Sequence, residues 1–365
     1  MKRQVHRNRR PGAAPARRVT ARDVANALGL STMTVSRALN GRPNVDEETR
    51  AQVFKTARQL GYSPNDIAKS LALNKTNTIG VVVPEISHSF FPEAIRGIEE
   101  AAYNAGYQLI LTHSAESALR ERDAIQTLGS RRVDGVLIST AQDLTDTRAY
   151  EQLIEIGVPV VFFDRCIRGI GATCVSIDDE ESSYMVTEHL LRHGYRRIAH
   201  LAGPQKISVG RERLDGFRRA LTTYGVPVVE ELIVESGFHE SGGYAAMNRL
   251  LDFPPAQRAQ AVVAVNDPAA FGAMKAILDR GLAIPGDVAI VGFSDDIRAP
   301  LMTVPLTTIR QPAYSLGKLA AERLLAAIGD RHVQPEELVV KTELVLRASC
   351  GCGRDPHAHL PGDAL

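Results

Sequence analysis

Apolar residues recur every three or four positions near the start of the chain, and from residue 79 onward they gather instead into short continuous runs. The first pattern predicts short amphipathic helices. Val24, Ala25 and Leu28 share a helical face behind Thr20, which precedes Asp23 by three positions in the spacing of a capping box, and Gly29 supplies the break. A second helix opens at Ser31. It turns Val35, Ala38 and Leu39 inward and leaves Thr32, Met33, Thr34, Ser36 and Arg37 outward. Two helices joined by a tight turn, the second polar on its outer face, form the helix-turn-helix used to read DNA. A hairpin that served packing alone would not need hydroxyls and an arginine at the exposed start of its second helix. A third helix over 46–60 aligns Val53, Ala57 and Leu60 before Gly61. The turn Ser63-Pro64-Asn65 leads into 66–73, DIAKSLAL, which is too short to be a stable helix alone and reads as a hinge.

From there strands alternate with amphipathic helices. The strands are expected at 79–83, 108–111, 135–139, 158–163, 198–202, 261–265 and 288–292, and the helices at 92–105, 181–193, 209–224, 268–280 and 314–328. That alternation is the mark of doubly wound parallel sheets, and seven strands are enough for two of them. The expected fold is therefore α/β. Residues 19–64 form a three-helix helix-turn-helix domain, 65–76 a hinge helix and linker, and 77–349 a core of doubly wound parallel sheets. A basic tail (1–18) and a C-terminal tail (350–365) are expected to be disordered.

Charge separates the same regions. The 365-residue chain carries a net charge of only +1, but residues 1–75 hold 15 Lys/Arg against 5 Asp/Glu, so the remaining 290 residues are net negative by nine. A basic end can neutralise phosphates and release counterions, while an acidic remainder disfavours binding along its whole surface. Residues 1–18 read equally well as a solvated tail with non-specific phosphate contacts. No run of 18 apolar residues predicts a membrane span, and the N-terminus lacks the apolar stretch of a secretory signal, so a cytoplasmic location is expected. Four cysteines do not make a disulfide framework in a chain this long. Cys166 and Cys174 are expected to be small buried or loop residues rather than a redox pair. Cys350 and Cys352, followed by His357 and His359, read as part of the C-terminal tail, because zinc sites spread their pairs across a turn. No metal and no cofactor is expected.

Seven motifs then follow in order: VTARDVANALGLSTMTVSRALNG, YSPNDIAKSLA, KTNTIGVVVP, RRVDGVLI, GYRRIAHLAGP with RLDGF downstream, VNDPAAFGAM, and IVGFSDD with PLTTIRQP. Together they span nearly the whole chain and resemble the lac repressor and galactose repressor family. The resemblance implies an N-terminal DNA-binding domain, a hinge helix and a two-lobed core similar to periplasmic sugar-binding proteins, with the ligand between the lobes. On this chain Thr20, Ser31, Thr34, Arg37 and Asn40 match family positions that hold the DNA backbone or place the reading helix. Thr32 and Met33 match those that choose bases. Leu71 matches a hinge leucine that wedges into the minor groove, and Ala72 follows it where some relatives have lysine. The chain lacks the leucine heptad of the tetramer-forming helix of the lactose repressor, so a homodimer on a pseudo-palindromic operator is expected.

Ligands of open α/β sheets bind at the carboxyl ends of strands. Phe90, Phe91 and Phe238 are the expected aromatic faces, with Arg213, Asn266, Asp267, Ser294 and Asp295 as directed polar groups. Ser139, Asp164 and Arg165 are further candidates at strand ends. Aromatic faces with a few polar groups suit a sugar or sugar acid, whose C–H faces stack and whose hydroxyls need partners. Alternatives stay open, with Phe90 and Phe91 as core residues and Arg213 as a surface charge paired to Asp215 or Glu212. Arg213, however, stands where the family has its ligand arginine. Two departures matter. Phe293-Ser294-Asp295-Asp296 replaces a family Tyr-Asp, which displaces the acid by one position, and Ile207 and Val209 are apolar where a purine-responsive relative has basic and hydroxyl side chains. The second argues against a purine corepressor. A ligand-responsive regulator, acting as a repressor, accounts for every module. A transport binding protein would leave the helix-turn-helix unexplained, and no Ser-His-Asp, paired-carboxylate or phosphate-loop constellation points to an enzyme.

Overall fold

The computed structural model describes residues 19–62, 75–144, 146–330 and 332–352; the hinge stretch 66–73 with Leu71, the basic tail, His357 and His359 lie outside the described residues. The chain divides into two compact units between Asn74 and Lys75.

The first unit has three helices: α1 (Ala21–Leu28), α2 (Thr32–Leu39) and α3 (Glu47–Leu60). Each begins on a residue that satisfies the free amides of its first turn. Thr20 and Asp23 complete a reciprocal capping box, Ser31 accepts from the Thr34 amide at 3.0 Å, and Asp46 accepts from the Thr49 amide at 2.8 Å. Val24, Ala25, Val35, Ala38, Val53 and Ala57 form the core. Leu60, expected in register with it, is instead 40 % exposed. Gly61 turns the chain in the left-handed region (φ 68°), and Tyr62 packs back on the core in its place.

The second unit contains two six-stranded sheets. The first is built from β1 (Thr78–Val83), β2 (Gln108–His113), β3 (Gly135–Ile138), β4 (Val160–Phe163) and β5 (Thr173–Ile177), with α4 (Phe90–Asn104), α5 (Ala118–Ser130) and α6 (Arg148–Glu155) between them. The chain then passes through α7 (Asp179–Arg192) to β6 (Ile198–Ala202), β7 (Ile233–Glu235), β8 (Ala261–Ala264), β9 (Ala289–Ser294) and β10 (Thr307–Arg310), linked by α8 (Ser208–Thr223), α9 (Glu240–Leu251) and α10 (Asp267–Asp279). It returns through α11 (Ala313–Gly329), lays β11 (Glu337–Val340) parallel beside β5, and crosses a third time to end in β12 (Glu343–Val345), antiparallel to β10. Strand order is β11-β5-β4-β3-β1-β2 in one lobe and β12-β10-β9-β8-β6-β7 in the other. Apart from β12, every pairing is parallel.

Several elements were not legible in the pattern. β5, β7, β10, β11 and β12 are three to five residues long, too short for a period to emerge, and they exist because neighbouring strands supply their hydrogen bonds. The expected linker end at residue 76 also differs. Asp134 accepts from the Thr76 and Asn77 amides, each at 2.8 Å, and ties them to the start of β3.

Both cysteine expectations are corrected. Cys166 and Cys174 form a disulfide. The link 164–172 contains no helix and must run back along β4 to start β5 in parallel, which lays the two side chains together. Cys350 is no tail residue: it ends a 3-10 turn (Ala348–Cys350) and is fully buried. Ser349 fixes that turn by donating to the Ile290 carbonyl at 2.6 Å and accepting from the Thr307 amide at 2.8 Å.

Candidate functional site

In the first unit, the caps decide which side chains remain available. Ser31 and Thr34 bond each other through their hydroxyls at 2.8 Å, and Asn40 closes α2 by donating to the Ser36 carbonyl at 2.8 Å. Val35 and Ala38 are buried beneath. Thr32, Met33, Ser36 and Arg37 are exposed, Met33 by 64 %. Thr20 is also exposed, with its hydroxyl engaged by Asp23.

In the second unit, a cleft lies where the carboxyl ends of the two sheets face each other. The loop from β1 to α4 contributes Glu85 and His88, the first turn of α4 contributes Phe90 and Phe91, and the end of β4 contributes Asp164 and Arg165. The other lobe supplies Val209 and Arg213 from α8, Phe238 and His239 after β7, and Asn266, Pro268, Ser294, Asp296 and Gln311. The space left at its centre is about 50 Å³, room for a few waters.

Two buried guanidinium groups organise this cleft. Arg213 donates through Nε to Asp179 at 2.7 Å and through Nη1 to the Val265 carbonyl at 2.5 Å, with Phe293 stacked 3.6 Å from its Cζ. It is 3 % exposed, so the alternative of a surface charge paired to its helix neighbours does not hold. Burial pushes Asp179 up to about 7 while Arg213 pulls against it. Arg165 pairs with Glu116 at 2.8 Å and lies 4.5 Å over the Phe238 ring, a contact between the two lobes. Burial also raises Asp164, against the opposing charges of Arg165 and Arg213. Phe91 is both core and cleft: it packs against Phe163 at 6.5 Å and edge-on to Phe90 at 5.1 Å.

Three expected ligand residues are corrected. Asp267 is fully buried behind the cleft, where it accepts from Thr308 Oγ1 at 2.6 Å and from the Asp296 amide at 2.7 Å; it holds the strand-end turn and does not face the ligand space. Asp295 turns outward to Arg347 at 2.6 Å and Arg310 at 2.7 Å. Asp296 takes the cleft position instead. Ser139 is buried in the strand end and does not line the cleft. Asn266 lines it, although both ends of its amide are engaged as the α10 cap and at the Phe238 carbonyl. Backbone strain marks the same rim: Asp164 (φ 61°), Ser294 (φ 129°) and Asp295 (φ 57°) occupy the left-handed region.

Sequence reasoning missed Glu85, His88, His239, Asp296 and Gln311. Glu85 and His88 stand in PEISHSF, directly after a strand the pattern did find. His88 also ties the lobes, reaching Glu85 at 3.2 Å within its own lobe and Glu240 of α9 at 3.3 Å across the cleft. Ser89 donates across to Asp296 at 3.0 Å.

Residues 20–65 match the model described as bacterial regulatory proteins of the lacI family, and residues 187–350 match a periplasmic binding protein-like domain. The transcriptional repressor PurR of Photobacterium profundum is 33% identical over 333 residues, covering 90% of this chain and 98% of that protein. Among solved structures, the lac repressor dimer bound to operator and the anti-inducer ONPF superposes with a TM-score of 0.81 at 27% identity, covering 92% of this chain and 99% of that one. A complex of the transcriptional regulator CelR with cellobiose gives 0.70 at 32% identity, covering 91% and 100%. With an exposed reading helix, a two-lobed core and these relatives along its length, the chain belongs to the lacI family of bacterial regulatory proteins and is a DNA-binding transcriptional regulator.

Proposed function

We propose that the protein is a cytoplasmic repressor that binds a pseudo-palindromic operator as a homodimer and is released by a sugar or sugar acid bound in the cleft. The observation that carries the effector reading is the convergence of aromatic faces (Phe90, Phe91, Phe238) with buried Arg165 and Arg213 and with Asp164, Ser294 and Asp296 around one space between lobes. C–H faces stack on the rings and hydroxyls meet the charged groups. The cellobiose held by the similar CelR supports a sugar, and the operator-bound lac repressor dimer supports the assembly. Val209, buried against Phe238 in a small apolar cluster with Ile207, offers no polar group to a purine at that position. Thr32 and Met33 would read base edges and Arg37 the phosphates; Leu71 would supply the minor-groove wedge.

A thermal-shift screen of neutral sugars, sugar acids, sugar phosphates and purine bases against the full chain tests the effector class, since a ligand at 100 times its Kd adds about 2.7 kcal/mol. The strongest hit is then carried into an operator titration. A sugar-class hit that weakens operator binding supports the reading. A purine hit, or a tight sugar ligand that leaves operator affinity unchanged, refutes it.

A further inference from the structure

Outside the cleft, α7 and the C-terminal turn bring together three side chains that the regulatory reading does not use. A ring nitrogen of His189 and the sulfurs of Cys350 and Cys352 all lie within 4.8 Å of one another. His189 stands in the last turn of α7, and Cys350 and Cys352 flank Gly351, whose left-handed backbone (φ 77°) turns the second sulfur back beside the first. The platform is rigid. Ser349 is bonded on both sides, Tyr195 donates to the Cys350 carbonyl at 3.1 Å, and Thr307 Oγ1 reaches Cys350 Sγ at 3.2 Å.

Two features set this cluster apart from ordinary packing. His189 Nε2 is shielded from solvent and has no hydrogen-bond partner among the described residues, a state that buried polar nitrogens avoid because the lost hydration is not replaced. The two sulfurs are 2.9 Å apart, closer than a hydrogen-bonded thiol pair requires and well beyond the ~2.03–2.05 Å of a disulfide. Two thiols and an imidazole are the donor set of thiophilic ions, with carboxylates absent from the cluster. An ion ~2.3 Å from sulfur and ~2.0–2.1 Å from nitrogen in tetrahedral geometry sets its two sulfurs roughly 3.7 Å apart, so binding requires side-chain rotation that opens the 2.9 Å sulfur pair and brings His189 into range.

We propose that His189, Cys350 and Cys352 form a binding site for one thiophilic metal ion of the zinc class, to which the described residues supply three ligands. Such an ion would staple the turn that follows β12 onto α7. Neither element reaches the cleft through these residues, so the site is separable from effector binding.

The test uses the full chain, reduced with a phosphine, freed of metal by chelator and titrated with zinc alone, with cobalt as the spectroscopic probe. The expected result is one ion per chain, thiolate-to-cobalt charge-transfer absorption and a raised Tm that chelator reverses. Cys352→Ser and His189→Gln, both at partly exposed positions, should each weaken zinc binding at least tenfold while unfolding stays cooperative. Cys166→Ser/Cys174→Ser should bind as the parent does. Binding undiminished in Cys352→Ser or His189→Gln, binding lost in the Cys166/Cys174 double variant, or no uptake by the fully reduced protein would overturn the proposal. A Cys350–Cys352 disulfide that forms in air once the phosphine is removed, with zinc present, would also overturn it.

Discussion

Asp295 and Asp296 are adjacent acids with opposite assignments, and the difference is measurable. Asp295 is held by Arg310 and Arg347, so Asp295→Asn should lower Tm and leave effector affinity within about twofold. Asp296 faces the cleft, accepts from Ser89 and pairs with Arg298. Removing its charge should cost a tenfold or greater loss of effector affinity, about 1.4 kcal/mol, read by calorimetry on both variants. Equal effects would undo the assignment. His88 gives a pH signature. Its bond to Glu85 raises it above the ordinary 6.5 against the opposing effect of burial, and Glu240 adds attraction from the other lobe. Burial would raise Glu85, yet bonds from His88 and Ser87 bring it to about 2, so it stays charged throughout. A raised histidine stabilises the folded, closed form fully below 6.5 and loses that contribution as pH climbs through its elevated value. The Tm of the full chain should therefore fall over that window. His88→Gln should flatten the profile even though His239, whose ring is 5.4 Å away, and Arg298, also paired to Glu240, remain in place; an unchanged slope would reassign the effect.

At the scale of elements, glycines decide how closely helices approach. A Cβ on Gly97 in α4 would fall inside contact distance of the Tyr314 carbonyl in α11, and one on Gly317 would meet the Ala94 carbonyl in return. Backbone cannot step aside as a flexible side chain can. Gly97→Ala should thus cost about 2 kcal/mol or more despite the helix propensity gained, whereas Gly329→Ala at the open end of α11 should be neutral or slightly stabilising. Urea denaturation of the two variants decides the matter, and a stable Gly97→Ala would mean that α4 and α11 pack farther apart. The Cys166–Cys174 bond closes a loop with a sequence separation of eight. By chain entropy it should contribute about 2–3 kcal/mol, so Cys166→Ser/Cys174→Ser should lose that amount relative to the oxidised parent and match the reduced one. The reading helix makes a third case. Arg37→Ala should weaken binding to all DNA sequences and lower the salt slope by about one, while Met33→Ala should change the preferred base pairs at nearly constant non-specific affinity. The reverse pattern would move the reading face.

For the whole molecule, the two units divide the labour along the charge split, the basic residues 1–75 for DNA and the acidic remainder for the effector. Coupling between them is thermodynamically reciprocal, typically 1–3 kcal/mol. If effector lowers operator affinity by some factor, operator must lower effector affinity by the same one. Measuring both on the full chain tests the linkage, and an effector whose affinity ignores saturating operator would show that the cleft does not control DNA binding.

Local information was enough to place the three helices of the first unit. Caps, periodic apolar positions and glycine stops act within a few residues, so Thr20, Ser31 and Gly29 could be placed from the sequence, as could the alternation of strands and helices and the β1 and β4 strands next to the cleft. Phe90 and Phe91 were also legible because they follow the end of β1, and Arg213 because it stands where the resembling family has its ligand arginine. The sequence left undecided which of two neighbouring acids turns inward, that Asp267 supports a turn rather than facing ligand, and that Leu60 is exposed. It did not reveal the shortest edge strands either. Apart from Leu60, whose place on the core Tyr62 takes, each of these depends on partners far along the chain: Arg347 draws Asp295 outward, Thr308 donates to Asp267, and β5 gives β11 its hydrogen bonds. The same holds for the cysteines. Cys166 meets Cys174 because a helix-free link runs back along a strand, and Cys350 meets His189 across more than 150 residues because β12 ends beside α7's lobe. Spacing in sequence carries no record of such encounters; only the folded backbone, by fixing which carboxyl ends and turns face one another, decides them.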